Sequence, residues 1–266
     1  MRYITTVFFA ACTFLACANN GDNKNKAMKV IAHRGGASLG PENTISCIQK
    51  GILSGADAIE VDVHLSADGA IVVCHDETID RTTDGKGRIE ELTLEQIRSA
   101  KIQDGSTFER IPTLEEVLAV TKDKCTLLLE IKKTRESQYP QMEDKVVALL
   151  DSLHMRDQII IQSFNDGVLE RFHAIAPDIP LEKLLVCRLP FGLAYDIKIH
   201  KFSMDDYPYV RSFNTYNNLT TQRFIREAHQ RGKTVRVWTV NVPSEVKENV
   251  DAVITNAPHL FLRKNY

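Results

Sequence analysis

From Met28 onward, short apolar runs rich in β-branched residues alternate with stretches of helical periodicity. The runs are Lys29–His33, Ala58–Leu65, Ala70–His75, Thr126–Lys132, Gln158–Ser163, Lys183–Cys187, Val210–Asn214, Thr234–Val240 and Ala252–Thr255. Between them, Glu42–Leu53 carries Ile45, Ile48 and Ile52 at helical spacing, and Thr113 with Glu116 makes a capping box ahead of Leu114–Thr121. Met142–Leu153 and Thr220–Gln230 each lie between two runs. Strand and helix in alternation predict a mostly parallel sheet with its helices outside. Nine strands are one too many for an eight-stranded barrel, but Asp68-Gly69 is a hairpin signal joining Ala58–Leu65 to Ala70–His75. A simple register for that hairpin sets His75 near Glu60. Counting the hairpin as one position leaves a (β/α)8 barrel, an α/β fold whose chemistry sits at the carboxyl ends of its strands. An open doubly wound sheet is the alternative. Asp76–Ile111 breaks the alternation; at 36 residues, with turn-rich Arg81–Gly87 and a short helix near Leu94–Ala100, it reads as a small insertion over the mouth.

The first 27 residues stand outside this pattern. Arg2 precedes an apolar run from Val7 to Ala16, short for a bilayer span and suited to a signal-peptide core. The run ends in Phe14-Leu15-Ala16-Cys17, which resembles a bacterial lipoprotein cleavage site with Cys17 as the lipidated residue. Phe14 departs from the Leu that this pattern prefers, and Ala11-Cys12 is a second candidate. Residues 17–27, rich in Asn, Lys and Asp, read as a tether, and residues 28–266 as the folded domain. The expectation is an exported lipoprotein, periplasmic or at the cell surface, attached to the membrane through its lipid only. Past residue 20 no stretch approaches the roughly 18 apolar residues of a span. A formal net charge of −2 argues against a nucleic-acid binder, whose affinity would rest on a basic face. Cys47, Cys74, Cys125 and Cys187 sit in apolar runs without metal-ligand spacing and read as small buried hydrophobes.

The chemistry is concentrated in a few strands. In Ala58-Ile59-Glu60-Val61-Asp62-Val63-His64, side chains alternate, so Glu60 and Asp62 share one face, His64 with them. Burying two neighbouring acids without compensation costs several kcal/mol each. A divalent cation removes that cost, and oxygen ligands suit Mg²⁺ or Ca²⁺. Glu130 lies in the very apolar Leu127–Ile131 and could complete the set, with pairing to Lys132 as the structural alternative. His33 and His75 each close a strand, and imidazole serves as general acid or base near neutrality. Asp76 could fix one tautomer, and Arg34 offers a planar fork of donors for phosphate oxygens. Asn43, after Pro41-Glu42, reads as a helix N-cap. Ser163-Phe164 and Trp238–Asn241 end two further strands, where Trp238 is either core or substrate wall.

The chain resembles the glycerophosphodiester phosphodiesterases. The likeness runs in order through Ala32-His33-Arg34-Gly35-Gly36, Pro41-Glu42-Asn43-Thr44, Glu60-Val61-Asp62-Val63, His75-Asp76, Arg81-Thr82-Thr83, Leu129-Glu130-Ile131-Lys132, Ser163-Phe164, Trp238-Thr239-Val240-Asn241 and Val253-Ile254-Thr255-Asn256. The resemblance implies a TIM-type barrel with an insertion matching Asp76–Ile111. It implies one divalent cation, Mg²⁺ or Ca²⁺, held by Glu60, Asp62 and Glu130. It implies acid–base catalysis by His33 and His75, with Arg34 and Lys132 on the phosphate and Glu42, Phe164 and Trp238 on the substrate. The implied substrate is a small glycerophosphodiester. Enzymes of the phospholipase C or sphingomyelinase D kind, acting on intact lipids, are a second reading, and a tethered, non-catalytic phosphodiester-binding protein a third. Two positions depart from the family pattern: Ala252, often Gly, and Asn256, often Asp.

Overall fold

The computed structural model describes residues 27–133, 139–186 and 202–262. The signal segment, Cys17, all of the tether but Ala27, and Cys187 lie outside them. The strands are β1 (Lys29–Ala32), β2 (Ala58–Leu65), β3 (Ile71–Val73), β4 (Ile102–Asp104), β5 (Thr107–Glu109), β6 (Thr126–Ile131), β7 (Ile159–Ser163), β8 (Leu181–Leu185), β9 (Val210–Tyr216), β10 (Thr234–Trp238) and β11 (Ala252–Thr255). The helices are α1 (Ile45–Leu53), α2 (Leu94–Ser99), α3 (Leu114–Thr121), α4 (Met142–Leu153), α5 (Asp166–Ile175), α6 (Gln222–Gln230) and α7 (Pro258–Phe261).

Eight strands pair in parallel in the order β1, β2, β6, β7, β8, β9, β10, β11, and β11 returns to β1, which closes the barrel. The open doubly wound alternative is thereby excluded. The ninth run is β3, which pairs antiparallel with Val63–Leu65, on the edge of β2 that β6 does not occupy. The hairpin register differs by one from the simple reading: Leu65 faces Ile71, because Gly69 at φ 83° adds a residue to the turn. Strand pairing then stops at Val73, so His75 leaves the ladder.

Outward side chains such as Val61, Leu129, Ile161 and Val235 pack under the helices in one large core. Inside the barrel, Ile31, Ala58, Leu128, Ile160, Ala252 and Ile254 fill one half. The other half, on β8 to β10, is polar: Glu182, Ser212, Asn214 and Arg236 are all buried. The insertion has a small core of its own, with Ile79, Ile89, Ile97, Ile102 and Ile111 gathered around Val72 and Cys74. Three features have no counterpart among the predicted elements: the β4–β5 ribbon, the short α7 and α5. Of these, α5 is the longest. Helix α5 is capped by Asn165, which accepts from the backbone N–H groups of Gly167 and Val168.

Candidate active site

The carboxylates come together because the strand register makes them neighbours. Asp62 on β2 stands opposite Glu130 on β6, and Glu60 lies two residues below Asp62 on the same inner face. Oxygens of Glu60, Asp62 and Glu130 all lie within 4.8 Å of one another, and all three side chains are buried. Lys132 is drawn into the cluster, its Nζ 2.6 Å from Glu130 Oε1 and 2.8 Å from Asp62 Oδ1. The predicted Glu130–Lys132 pair therefore exists, and it does not displace Glu130 from the other two acids.

One ammonium cannot balance three buried carboxylates, and the ionisation equilibria register the deficit. Burial, reinforced by Asp62 and Glu130, pushes Glu60 well above the usual carboxylate range. Burial likewise raises Glu130 to about 7, Lys132 only partly offsetting it. Asp62 is the exception: burial works against its ionisation, but Lys132, His75 and Arg34 outweigh it and hold the carboxyl far below its ordinary range. Asp62 Oδ1 is buried and receives no hydrogen bond of good geometry. A compact set of hard oxygen donors with surplus negative charge fits a small divalent cation.

The turn after β1 brings the first histidine and arginine to the same place. Arg34, Gly35 and Gly36 take φ of 52°, 85° and 94°, a left-handed run that is uncommon outside glycine. It aims the Arg34 N–H at Glu60 Oε2, 2.9 Å away. Helix α1 lies close against this turn: a Cβ on Gly51 would collide with the Gly35 carbonyl oxygen. Asn43, read from sequence as the N-cap of α1, does different work. Thr44 is the cap, accepting from the Cys47 N–H. Asn43, at φ 61°, is buried and donates Nδ2–H to Asp62 Oδ2 at 3.0 Å.

Each histidine is fixed by one ring nitrogen. His33 Nδ1 lies 2.6 Å from Asn256 Oδ1 and His75 Nδ1 2.7 Å from Asp76 Oδ1. Both oxygens can only accept, so Nδ1 carries the proton and Nε2 is left for chemistry. His33 Nε2 is 3.9 Å from Glu60. Burial, with Arg34 beside it, lowers His33 to about 4; burial and Lys132 lower His75 as well.

Around the rim, Arg81 from the insertion ties the parts together. Its guanidinium donates to both oxygens of Glu42 at 2.9 and 2.7 Å and to Asp76 Oδ2 at 2.6 Å, while Arg34 Nη1 donates to Glu42 Oε1 at 2.9 Å. Glu42 is thus engaged by two guanidinium groups. Arg34 Nε is buried without an acceptor. At the other side of the mouth, Trp238 stands edge-on to Phe164 and near Tyr216, with centroid distances of 5.7 and 5.6 Å, and its Nε1–H donates to the Asn214 carbonyl. The sequence reading named Phe164 and Trp238 but missed Asn256, Arg81, Gln162 and Asn214. Of these, only Arg81 and Asn256 sat in a quoted motif.

His64 faces inward as expected, but it supports its neighbours from behind. It donates Nε2–H to the His75 carbonyl and accepts the Tyr139 hydroxyl at Nδ1, 3.2 and 2.8 Å away. Burial lowers it to about 4. The folded protein holds this ring neutral, whereas the unfolded chain protonates it near pH 6.5. Its contribution to stability is therefore intact above pH 6.5 and is lost as the pH falls through 4, by about 3 kcal/mol. In urea titrations of the chelated protein at pH 7 and pH 4, His64→Gln is expected to lose correspondingly less stability than the parent; equal losses would contradict this assignment.

An arginine with an unsatisfied donor and a lysine beside a cation-ready acidic cluster suit a phosphorylated ester, and at the mouth of a (β/α)8 barrel they define a phosphoric diester hydrolase. The sequence profile of the Glycerophosphoryl diester phosphodiesterase family matches residues 33–260, and the chain belongs to that family. It is 35% identical over 243 residues to the glycerophosphodiester phosphodiesterase of Caldanaerobacter subterraneus subsp. tengcongensis, covering 88% of this chain and 96% of that protein. Solved structures share the fold: an Oleispira antarctica phosphodiesterase (TM-score 0.72, 24% identity, 87% of this chain and 94% of that one) and the Thermotoga maritima glycerophosphodiester phosphodiesterase (TM-score 0.69, 24% identity, 90% and 99%).

Proposed function

We propose that the chain hydrolyses small glycerophosphodiesters, of the glycerophosphocholine, -ethanolamine or -inositol type, to glycerol 3-phosphate and the free alcohol. The observation that carries this reading is the buried Glu60–Asp62–Glu130 cluster flanked by two imidazoles with their Nε2 atoms unengaged. The Oleispira antarctica phosphodiesterase was solved with the product sn-glycerol-3-phosphate, which supports the same product here. Glu60, Asp62 and Glu130 would hold one Mg²⁺ or Ca²⁺, which when bound neutralises phosphoryl charge and acidifies an oxygen nucleophile. Arg34, through its unpartnered Nε, and Lys132 hold the phosphate and stabilise the added charge of the transition state. One of His33 and His75 takes the proton of the nucleophile, either water or a neighbouring glycerol hydroxyl. The other delivers a proton to the departing alkoxide. Depressed basicity keeps the ring that acts as base neutral at pH 7, whereas the ring that acts as acid must first take up a proton at Nε2, which the negative charge of the bound phosphodiester favours. Phe164 and Trp238 form an apolar wall for the organic part of the substrate. Export and lipidation at Cys17 rest on the sequence of residues 1–17 and complete the proposal.

The test is a panel of deacylated glycerophosphodiesters beside intact phosphatidylinositol and sphingomyelin, assayed after chelation and again with Mg²⁺ or Ca²⁺ restored. Turnover of the deacylated diesters that returns with the cation is expected. Turnover confined to intact lipids would assign the site to lipid cleavage, and calorimetric binding without turnover would make it a binding protein.

A further inference from the structure

The polar half of the barrel interior is a single chain of hydrogen bonds that ends on Glu60. Gln162 donates Nε2–H to Glu60 Oε1 at 3.2 Å and accepts at Oε1 from Asn214 Nδ2, 2.8 Å away. The same Asn214 amino group donates its second hydrogen to Glu182 Oε2 at 2.9 Å, and the Ser212 hydroxyl donates to Asn214 Oδ1 at 3.0 Å. The other Glu182 oxygen is held by Arg236 at 2.6 Å and Arg211 at 3.0 Å. Gln162, Asn214 and Glu182 are buried completely or nearly so.

The direction of this chain is dictated by chemistry. An ionised Glu182 only accepts, so Asn214 must turn its amino group toward it. That leaves the remaining Asn214 hydrogen for Gln162 and forces the Gln162 carbonyl to face Asn214. The Gln162 amino group is thereby aimed at Glu60. Were the Gln162 amide reversed, two oxygens would oppose each other at Glu60. With Arg34 N–H on Oε2 and Gln162 on Oε1, both Glu60 oxygens have a fixed donor. An apolar filling, as on the opposite half of the barrel, avoids the desolvation of so many polar groups and is often no less stable.

We propose that Gln162 and Asn214 are positioning residues for the cation site: the Glu182–Asn214–Gln162 column orients Glu60 as a ligand. The inference rests on the metal-dependent reading above. Isothermal titration of the chelated full-length protein with Mg²⁺ and with Ca²⁺ tests it without any turnover. Loss of a supporting partner of this kind weakens metal binding about 10- to 100-fold, and that is the expected rise in Kd for Gln162→Met and for Asn214→Leu. Because the two act in series, the double variant should bind no more weakly than Gln162→Met alone. Thermal melts of the chelated proteins confirm that the variants are folded, and whichever single variant folds carries the measurement. Cation affinity within twofold of the parent in a folded variant overturns the proposal. So does a loss in Gln162→Met with none in Asn214→Leu, which would leave Gln162 acting alone. Failure of the unsubstituted protein to bind either cation would instead remove the functional reading itself.

Discussion

Turnover by His75→Ala is expected to fall about 10²- to 10⁴-fold, the usual contribution of a positioned acid or base, with cation affinity little changed. The reason is geometric. Asp76 engages Nδ1 of His75, so the ring has one functional nitrogen, and the alanine removes it without touching Glu60, Asp62 or Glu130. His33→Ala is expected to lose activity on the same scale, since Asn256 fixes that ring in the same tautomer. Steady-state rates at saturating substrate and cation are the measurement, with circular dichroism to confirm the fold. Near-parental rates in either variant would remove that histidine from the chemistry.

Glu130→Gln is expected to abolish the response to cation. In the parent, binding a cation at 100 times its Kd stabilises the folded state by about 2.7 kcal/mol, which in a chain of this size raises Tm by roughly 5–10 °C. The glutamine keeps the shape of the side chain and the reach to Lys132, but it withdraws one of the three charges that the cation offsets. Tm should then be insensitive to added Mg²⁺ or Ca²⁺, and turnover should fall by several kcal/mol in barrier, about a thousandfold or more. A normal thermal response in Glu130→Gln would show that the cation, if bound, sits elsewhere. Chelation of the parent should reproduce the loss of activity, and restoring the cation should reverse it.

How far the sequence revealed these sites depended on which side of the barrel they came from. On β2 and β6 the acids stand in strongly apolar, β-branched runs, so their periodicity and anomaly were both visible, and Glu60, Asp62 and Glu130 do converge. On β8 the interior residue is Glu182, paired with arginines, and a charge at that place looks like surface. The sequence reading therefore placed the strand at Lys183–Cys187, two residues beyond its true start at Leu181. The same polarity hid the hydrogen-bond column, because Gln162 and Asn214 become informative only when strand register puts them in line. Helix α5 gives no clear sequence signal although Val168, Leu169 and Phe172 are buried at helical spacing; an aspartate, a glycine and several charged residues dilute its pattern. Asn43 reads as a cap because an asparagine before a helix so commonly is one, whereas Thr44 takes that place and frees Asn43 for Asp62.

The clamp made by Arg81 limits how the insertion can be exchanged among relatives. Its partners are Glu42 on the barrel rim and Asp76 where the insertion begins, so a chimera that imports a foreign loop without an arginine there leaves Glu42 to Arg34 alone and Asp76 without its guanidinium partner. The nearer of them is the anchor of His75. A graft of this segment, however well its small apolar centre is preserved, would have to bring that guanidinium along.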